Sequence, residues 1–166
     1  CFNSEKTIRR CLDSIEYQSY RPKQLIIIDG GSTDNTLAIL KDYKEIITNF
    51  ISESDDGIYD AMNKGLSFCK ERFFLFLNSD DYLADEHVLA RYSKPFEDEE
   101  IDYVFGNIDM VANLKVKRHW TSNFSSNALH FASRIPHPGL AVKTELLKKL
   151  KGFEFMILID SKKPSP

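Results

Sequence analysis

The sequence is poor in cysteine, and Cys1, Cys11 and Cys69 fall in no CxxC or Cys/His ligand spacing. That argues against a disulfide framework or a structural zinc site, and it fits a reducing cytoplasm. An excess of positive charge is missing too. With 22 Lys and Arg against 25 Asp and Glu the formal net charge is −3, so the clustered cations that grip a phosphate backbone are lacking and nucleic acid is not an expected partner. No apolar run reaches the roughly 18 residues needed to span a bilayer, and there is no charged-then-apolar leader. Neither GxGxxG nor a Walker loop occurs, which argues against an NAD-linked Rossmann enzyme. A starting methionine is also absent: the chain opens in mid-motif and reads as a piece of a longer product.

What is present describes one ordinary globular domain over residues 1–166, with 42% hydrophobic and 28% charged residues. Lys143, Lys148, Lys149, Lys151, Lys162 and Lys163 gather towards the end. They leave open peripheral contact with an anionic membrane surface or a phosphate-bearing substrate, although a solvated helix face is the simpler reading. Asn123-Phe124-Ser125 has the form of a glycosylation acceptor, a tripeptide that recurs by chance.

Ile8, Cys11, Leu12 and Ile15 recur at helical spacing, with Ser4 placed to cap the first turn and Glu5 near the positive end of its dipole. Gln24 to Ile28 is a short β-branched run of the sort found in buried strands, ending at Asp29-Gly30-Gly31. Ser32-Thr33-Asp34 offers caps to a second helix whose inner face carries Leu37, Leu40 and Tyr43, with Ile39 at its edge. A strand over Ile46 to Ile51, a helix from Ile58 to Cys69 and a strand over Phe73 to Leu77 follow. Further on, the pattern predicts a helix near Glu86 to Tyr92, strands over Tyr103 to Val111 and Lys115 to Trp120, and a helix from Thr144 to Lys151 ended by Gly152.

Strand and helix alternating in this way predict an α/β fold, a mostly parallel sheet with helices on both faces, and ligands beyond the carboxyl ends of its strands. In such a sheet a first strand would be ending at Cys1-Phe2-Asn3, so that strand looks truncated, with upstream residues completing it.

Three acidic clusters follow strands: Asp29, then Glu53 with Asp55 and Asp56, then Asp80 with Asp81. Carboxylates converging on one rim repel one another unless a cation or hydrogen-bond donors neutralise them. Asp and Asn oxygens suit Mg²⁺ or Mn²⁺, which take one or two carboxylates, waters and the oxygens of a bound diphosphate. The plainer alternative is that Asp80 and Asp81 cap the element that follows. An EF-hand is excluded, because the alternating ligands, central glycine and terminal Glu are missing.

Phe2-Asn3-Ser4, Ile28-Asp29-Gly30-Gly31-Ser32-Thr33-Asp34, Ser54-Asp55-Asp56-Gly57 through Gly65, and Leu77-Asn78-Ser79-Asp80-Asp81, in that order, resemble the family 2 glycosyltransferases with the GT-A fold, of the bacterial cell-surface polysaccharide type. The resemblance is close over residues 1–85, the nucleotide-sugar-binding half. It is looser over 86–166, an incomplete acceptor-side half, where Pro136-His137-Pro138-Gly139 and Leu150-Lys151-Gly152-Phe153 carry it.

The resemblance implies a metal-assisted, inverting transfer of a sugar from a nucleotide diphosphate, uridine being the commonest, to a glycan or lipid-linked acceptor at the cytoplasmic side. It implies that Phe2, beside Asn3, stacks on the base and that Asp29 accepts from the base imide, the alternative for Asp29 being a turn aspartate. Asp55, Gly57 and Asn63 would line ribose and diphosphate, though Asn63 could equally face solvent. Asp80 and Asp81 match the Asp-X-Asp region, and since Asn78 replaces its usual first carboxylate, metal ligation falls on Asp81 with Asp80 beside it. Asp160 is the nearest base for the acceptor hydroxyl, its alternative a strand-end or tail residue. His137 could reach the metal, the diphosphate or the acceptor, or be structural. Trp120, Phe124 and Phe131 are candidates to line an acceptor groove, with core packing the alternative. Two other classes remain: a non-catalytic remnant that binds nucleotide sugar, and a sugar nucleotidyltransferase, whose usual Gly-rich basic loop is not seen.

Overall fold

A computed structural model describes residues 1–21, 24–112, 115–120 and 139–152. The first helix, α1 (Ile8–Glu16), buries Ile8, Cys11, Leu12 and Ile15, the expected stripe. Its start differs from expectation. Thr7 is the N-cap and gives no side-chain cap, while Ser4 contributes only its carbonyl, which accepts from Thr7 N and Ile8 N.

The strand β1 (Ile26–Asp29) pairs in parallel with β2 (Asn49–Ser52), Asp29 lying opposite Ser52. Between them α2 (Thr36–Asp42) buries Thr36, Ile39 and Leu40, with Tyr43 just beyond. That i, i+3, i+4, i+7 stripe corrects the expected one: Ile39 is core and Leu37 only partly buried. The face turns because Thr36 is drawn inward, where its Oγ1 accepts from Ser4 N at 2.7 Å.

Successive side chains of a strand face opposite ways, and β1 uses both. Ile27 packs into the cluster of α1 and α2, whereas Ile28 lies 3.7 Å from the position a Cβ on Gly65 would take. Gly65 belongs to α3 (Ile58–Phe68), which crosses β1 closely and buries Met62 and Leu66. Helices therefore cover both faces of β1.

The remaining strands are antiparallel: β3 (Phe73–Leu75), β4 (Tyr103–Phe105) and β7 (Leu140–Lys143) form a sheet with β7 in the middle, and β5 (Ile108–Ala112) pairs with β6 (Lys115–Trp120) as a separate hairpin. The expected strand over 103–111 is split at Gly106-Asn107. Strand β7, four residues that directly follow Pro138-Gly139 in sequence, goes beyond the expected elements. A short α4 (Val88–Ser93) runs into a 3₁₀ turn that buries Phe96 against the ring of Phe73. Helix α5 (Thr144–Lys149) stops short of the expected Lys151, which itself turns left-handed at φ 64° just before Gly152 at φ +81°.

Ile26 and Ile28 of β1 face Phe74 and Phe76 across the gap between β1 and β3, whose rim includes Phe2, Asp55 and Asp80. At one end Cys1 sits alongside β1: its amine donates to Ile28 O, and Gly30 N donates to its carbonyl at 2.8 Å. That is the spacing of a parallel ladder, with Asp29 opposite Cys1.

Candidate functional site: three loops at the strand ends

The segments that leave β1, β2 and β3, together with Cys1 to Ser4, are joined by short side chains. Asn3, in the left-handed region at φ 47°, turns its Oδ1 to Thr33 N at 2.9 Å and Asp34 N at 3.3 Å. Glu5 Oε2 accepts from Asn35 N, and Asp34 returns the contact by accepting from Glu5 N. The first loop thus ties down the amides of the turn that leads into α2 rather than capping the start of α1. Asn3 is spent on this task in the structure.

The Asp29 side chain is fully enclosed, 0% exposed. Its Oδ2 accepts from Gly31 N (3.2 Å), Ser32 N (2.9 Å) and Ser52 Oγ (2.7 Å), and its Oδ1 from Ser32 Oγ (2.5 Å). Burial alone would push this carboxyl up, but the bonds from Ser32 and Ser52 outweigh it and leave the group below its usual range. Its oxygens already serve the turn at 30–32 and bind β1 to β2, the turn aspartate of the two readings above.

Asp55 is placed differently. Its Oδ1 accepts from Gly57 N at 2.9 Å, while its Oδ2 stands 2.7 Å from the point where a Cβ on residue 30 would be. Only a glycine at 30 leaves room for that carboxylate. Gly57, at φ +106° and ψ −176°, holds a backbone shape that side chains disfavour. The neighbouring Glu53 is neutralised by Lys64 at 2.9 Å, which also meets Asp60 at 3.0 Å, so Glu53 does not join a shared carboxylate cluster. Asn63 faces elsewhere: a Cβ on Gly152 would fall 2.3 Å from its Oδ1, so it abuts the end of α5.

After β3 the chain turns tightly, Asp81 N donating to Asn78 O at 3.0 Å and Asn78 Nδ2 to Asp81 Oδ2 at 3.2 Å. Asp80 points outward and is exposed, while Asp81 is half-buried. Burial, and then the charge of Asp80, push the Asp81 carboxyl above its usual range, partly offset by Asn78. Two carboxylates that suffer from each other's company gain when a cation arrives. Helix α1 holds this loop from behind: Cys11 Sγ lies against Asn78 O, Ser14 Oγ accepts from Leu83 N, and buried Gln18 donates to Asp85 O. Ser79 Oγ meets Ser4 Oγ at 2.8 Å, joining the first loop to the acidic one.

Among the described residues no three His, Cys, Asp or Glu converge as a closed metal cage. The donor set fits instead a hard divalent ion held by one or two carboxylates, the rest of its shell coming from outside the protein. Asp160 and His137, like Phe124 and Phe131, lie outside the described residues, as does the side chain of Trp120. Sequence reasoning missed the serine hydroxyls at 4, 32, 52 and 79 and the backing role of Ser14 and Gln18, because short polar side chains in loops carry no periodic signal.

The glycosyl transferase family 2 model matches residues 1–161. The chain belongs to that family. A "PGL/p-HBAD biosynthesis glycosyltransferase" of Mycobacterium bovis is 32% identical over 142 residues, covering 83% of this chain and 54% of that protein. The poly(ribitol-phosphate) beta-glucosyltransferase of Bacillus spizizenii is 34% identical over 99 residues, 55% of this chain and 16% of the relative. The chain thus spans about half the length of the mycobacterial relative. Among solved structures, S. aureus TarS 1-349 in complex with UDP-GlcNAc superposes with a TM-score of 0.73 at 24% identity, over 90% of this chain and 45% of TarS. The mannosyltransferase PcManGT of Pyrobaculum calidifontis, in complex with GDP-Man and Mn²⁺, gives 0.69 at 21% identity, over 93% of this chain and 45% of its own. These likenesses establish the GT-A fold. Among the described residues of this family 2 chain no helix is long and apolar enough to cross a membrane.

Proposed function

We propose that the chain carries the donor-binding core of a glycosyltransferase that moves a sugar from a nucleoside diphosphate, preferentially uridine diphosphate, to a hydroxyl of a glycan or lipid-linked acceptor. The observation that carries this reading is the Ser4–Ser79 contact, 2.8 Å long. It gathers the exposed Phe2 ring and the Asn78–Asp81 loop at one rim, at the carboxyl ends of β1 and β3, where an α/β sheet binds ligands.

In this reading Phe2, 60% exposed, gives its ring face to the base. Gly57, whose amide holds Asp55, lines the path to the diphosphate. Asp81 and Asp80 hold Mn²⁺ or Mg²⁺, which when bound neutralises the charge of the leaving diphosphate. The acceptor oxygen forms its bond to the anomeric carbon on the face opposite the breaking bond to the diphosphate, so the configuration inverts. The hydroxyl proton passes to a carboxylate, for which Asp160 is the nearest residue in sequence, with His137 a further group for the acceptor side. The cysteines among the described residues are free thiols, which supports a reducing, cytoplasmic setting. Contact with the inner membrane face rests on the late lysines alone.

Thermal stabilisation by a panel of nucleoside diphosphates and their sugars with Mn²⁺, followed by release of free diphosphate, tests the reading. Stabilisation by a uridine nucleotide with turnover supports it. Stabilisation without turnover leaves a donor-binding module, and no stabilisation by any of the panel rejects donor binding.

A further inference from the structure

We infer that Asp55, seated over Gly30, is the residue that reads the base, and that it selects uracil. The inference rests on the nucleotide-binding reading above, uridine preference included, and adds to it which residue and which atom read the base. Asp29 has no oxygen to offer without giving up bonds from Gly31, Ser32 and Ser52. Asp55 does. Its Oδ1 is engaged by Gly57 N, and its Oδ2 lies over the Cα of Gly30, where a side chain would otherwise stand. Gly30 N donates to the carbonyl of Cys1, the residue before Phe2, so the glycine beneath this oxygen is bonded next to the exposed aromatic residue.

One open carboxylate oxygen beside a ring face makes a definite chemical demand. The base must stack and present an N–H at the point where that oxygen meets its pairing edge. Uracil does so through N3–H. At the same position cytosine presents a bare N3 lone pair, which a carboxylate repels, and its donor is the neighbouring N4 amine. Guanine presents two neighbouring donors, best met by two open oxygens, and here the first is already held by a backbone amide.

The amide variant reverses the demand. In Asp55→Asn the carbonyl oxygen must stay on Gly57 N, because the other end, an NH₂, cannot accept. The NH₂ then takes the place of Oδ2, donates to the N3 of cytosine and opposes the N3–H of uracil.

The test is calorimetric titration of the whole chain with UDP, CDP and GDP in the presence of Mn²⁺. The wild-type chain is expected to prefer UDP over CDP, and Asp55→Asn to lose about tenfold or more for UDP, as for one hydrogen bond to a charged group, while gaining for CDP. Gly30→Ala, whose Cβ displaces the carboxylate, is expected to erase the discrimination without reversing it, and it decides the matter if Asp55→Asn does not fold. Asp29→Asn should weaken all three nucleotides alike. If UDP binds the wild-type chain but Asp55→Asn and Gly30→Ala keep its preference, the assignment to Asp55 is overturned and donor binding stands. If no nucleotide binds the wild-type chain, donor binding falls and the assignment with it.

Discussion

Ser4 Oγ and Ser79 Oγ lie 2.8 Å apart although 75 residues separate them in sequence. Each hydroxyl can donate once and accept twice, and Ser4 Oγ also meets the carbonyl of Phe2 at 3.1 Å. The pair therefore joins the segment of the exposed aromatic residue directly to the acidic turn, which α1 also holds from behind. Neither serine need touch a ligand for the pair to matter, since a loop displaced by one ångström binds a metal and a diphosphate poorly.

Removing either hydroxyl should weaken uridine diphosphate with Mn²⁺ by about fivefold, the worth of roughly 1 kcal/mol for one hydrogen bond. Ser4→Ala and Ser79→Ala should each produce this loss, and the double variant should be no worse than either single one. Additive losses in calorimetry would mean that the two serines act separately.

Asp29→Ala should cost about 3 kcal/mol of stability, because it leaves buried amides and hydroxyls at Gly31, Ser32 and Ser52 without an acceptor. At this chain length that is a fall in Tm of about 10 °C. The acid limb of the stability curve should change as well. The folded-state pKa of Asp29 is depressed, so its contribution is fully present above the unfolded value near 4 and is lost as pH falls through the lower folded value. Denaturant melts from pH 6 to pH 3 should therefore be flatter for Asp29→Asn than for the wild type. Equal slopes would show that the carboxylate titrates alike folded and unfolded.

How much of this was legible beforehand follows from where the signals lie. The buried stripe of α1 is a periodic apolar feature, and the chain shows it where the pattern put it. The turn of α2 towards Thr36 was not legible, since it depends on a bond to Ser4 N, a partner 32 residues away. The same holds for β7: its central place comes from pairing with β3 and β4, which four residues of local sequence do not encode. At the site, motif order located Asp55, Gly57, Asp80 and Asp81 correctly as loop residues, but the division of labour between Asp29 and Asp55 turns on burial, which a linear motif does not carry.

Metal affinity should fall on mild acidification through Asp81. Its folded-state pKa is raised by burial and by Asp80, so the sign is opposite to that of Asp29: the proton is held at a higher pH than by a free aspartate, and protonation opposes the ion. Mn²⁺ binding in the presence of uridine diphosphate should begin to weaken above pH 4 as pH is lowered, and Asp80→Asn, which removes the like charge, should move that midpoint down. A midpoint unchanged in Asp80→Asn would separate the two carboxylates electrostatically. Asp81→Ala should abolish the Mn²⁺ dependence altogether while the fold persists.

Gly57→Ala tests whether backbone shape at the start of α3 matters to the donor site. A Cβ at position 57 meets nothing within 4 Å, so crowding predicts no effect. Conformation predicts a clear one. At φ +106° and ψ −176° the residue occupies a region nearly confined to glycine, and an alanine held there costs about 1–3 kcal/mol. The chain can relieve that strain only by rotating the 56–57 peptide, which withdraws Gly57 N from Asp55 Oδ1, 2.9 Å away. Once released, Asp55 no longer points a fixed oxygen over Gly30. The variant should therefore lose affinity for uridine diphosphate several-fold more than its small drop in Tm suggests, and Gly57→D-Ala, introduced by semisynthesis, should restore both, because a D residue adopts positive φ without strain. If the D-Ala chain binds as poorly as the L-Ala chain, the added methyl rather than the backbone is at fault, and the amide of Gly57 is not what aims Asp55.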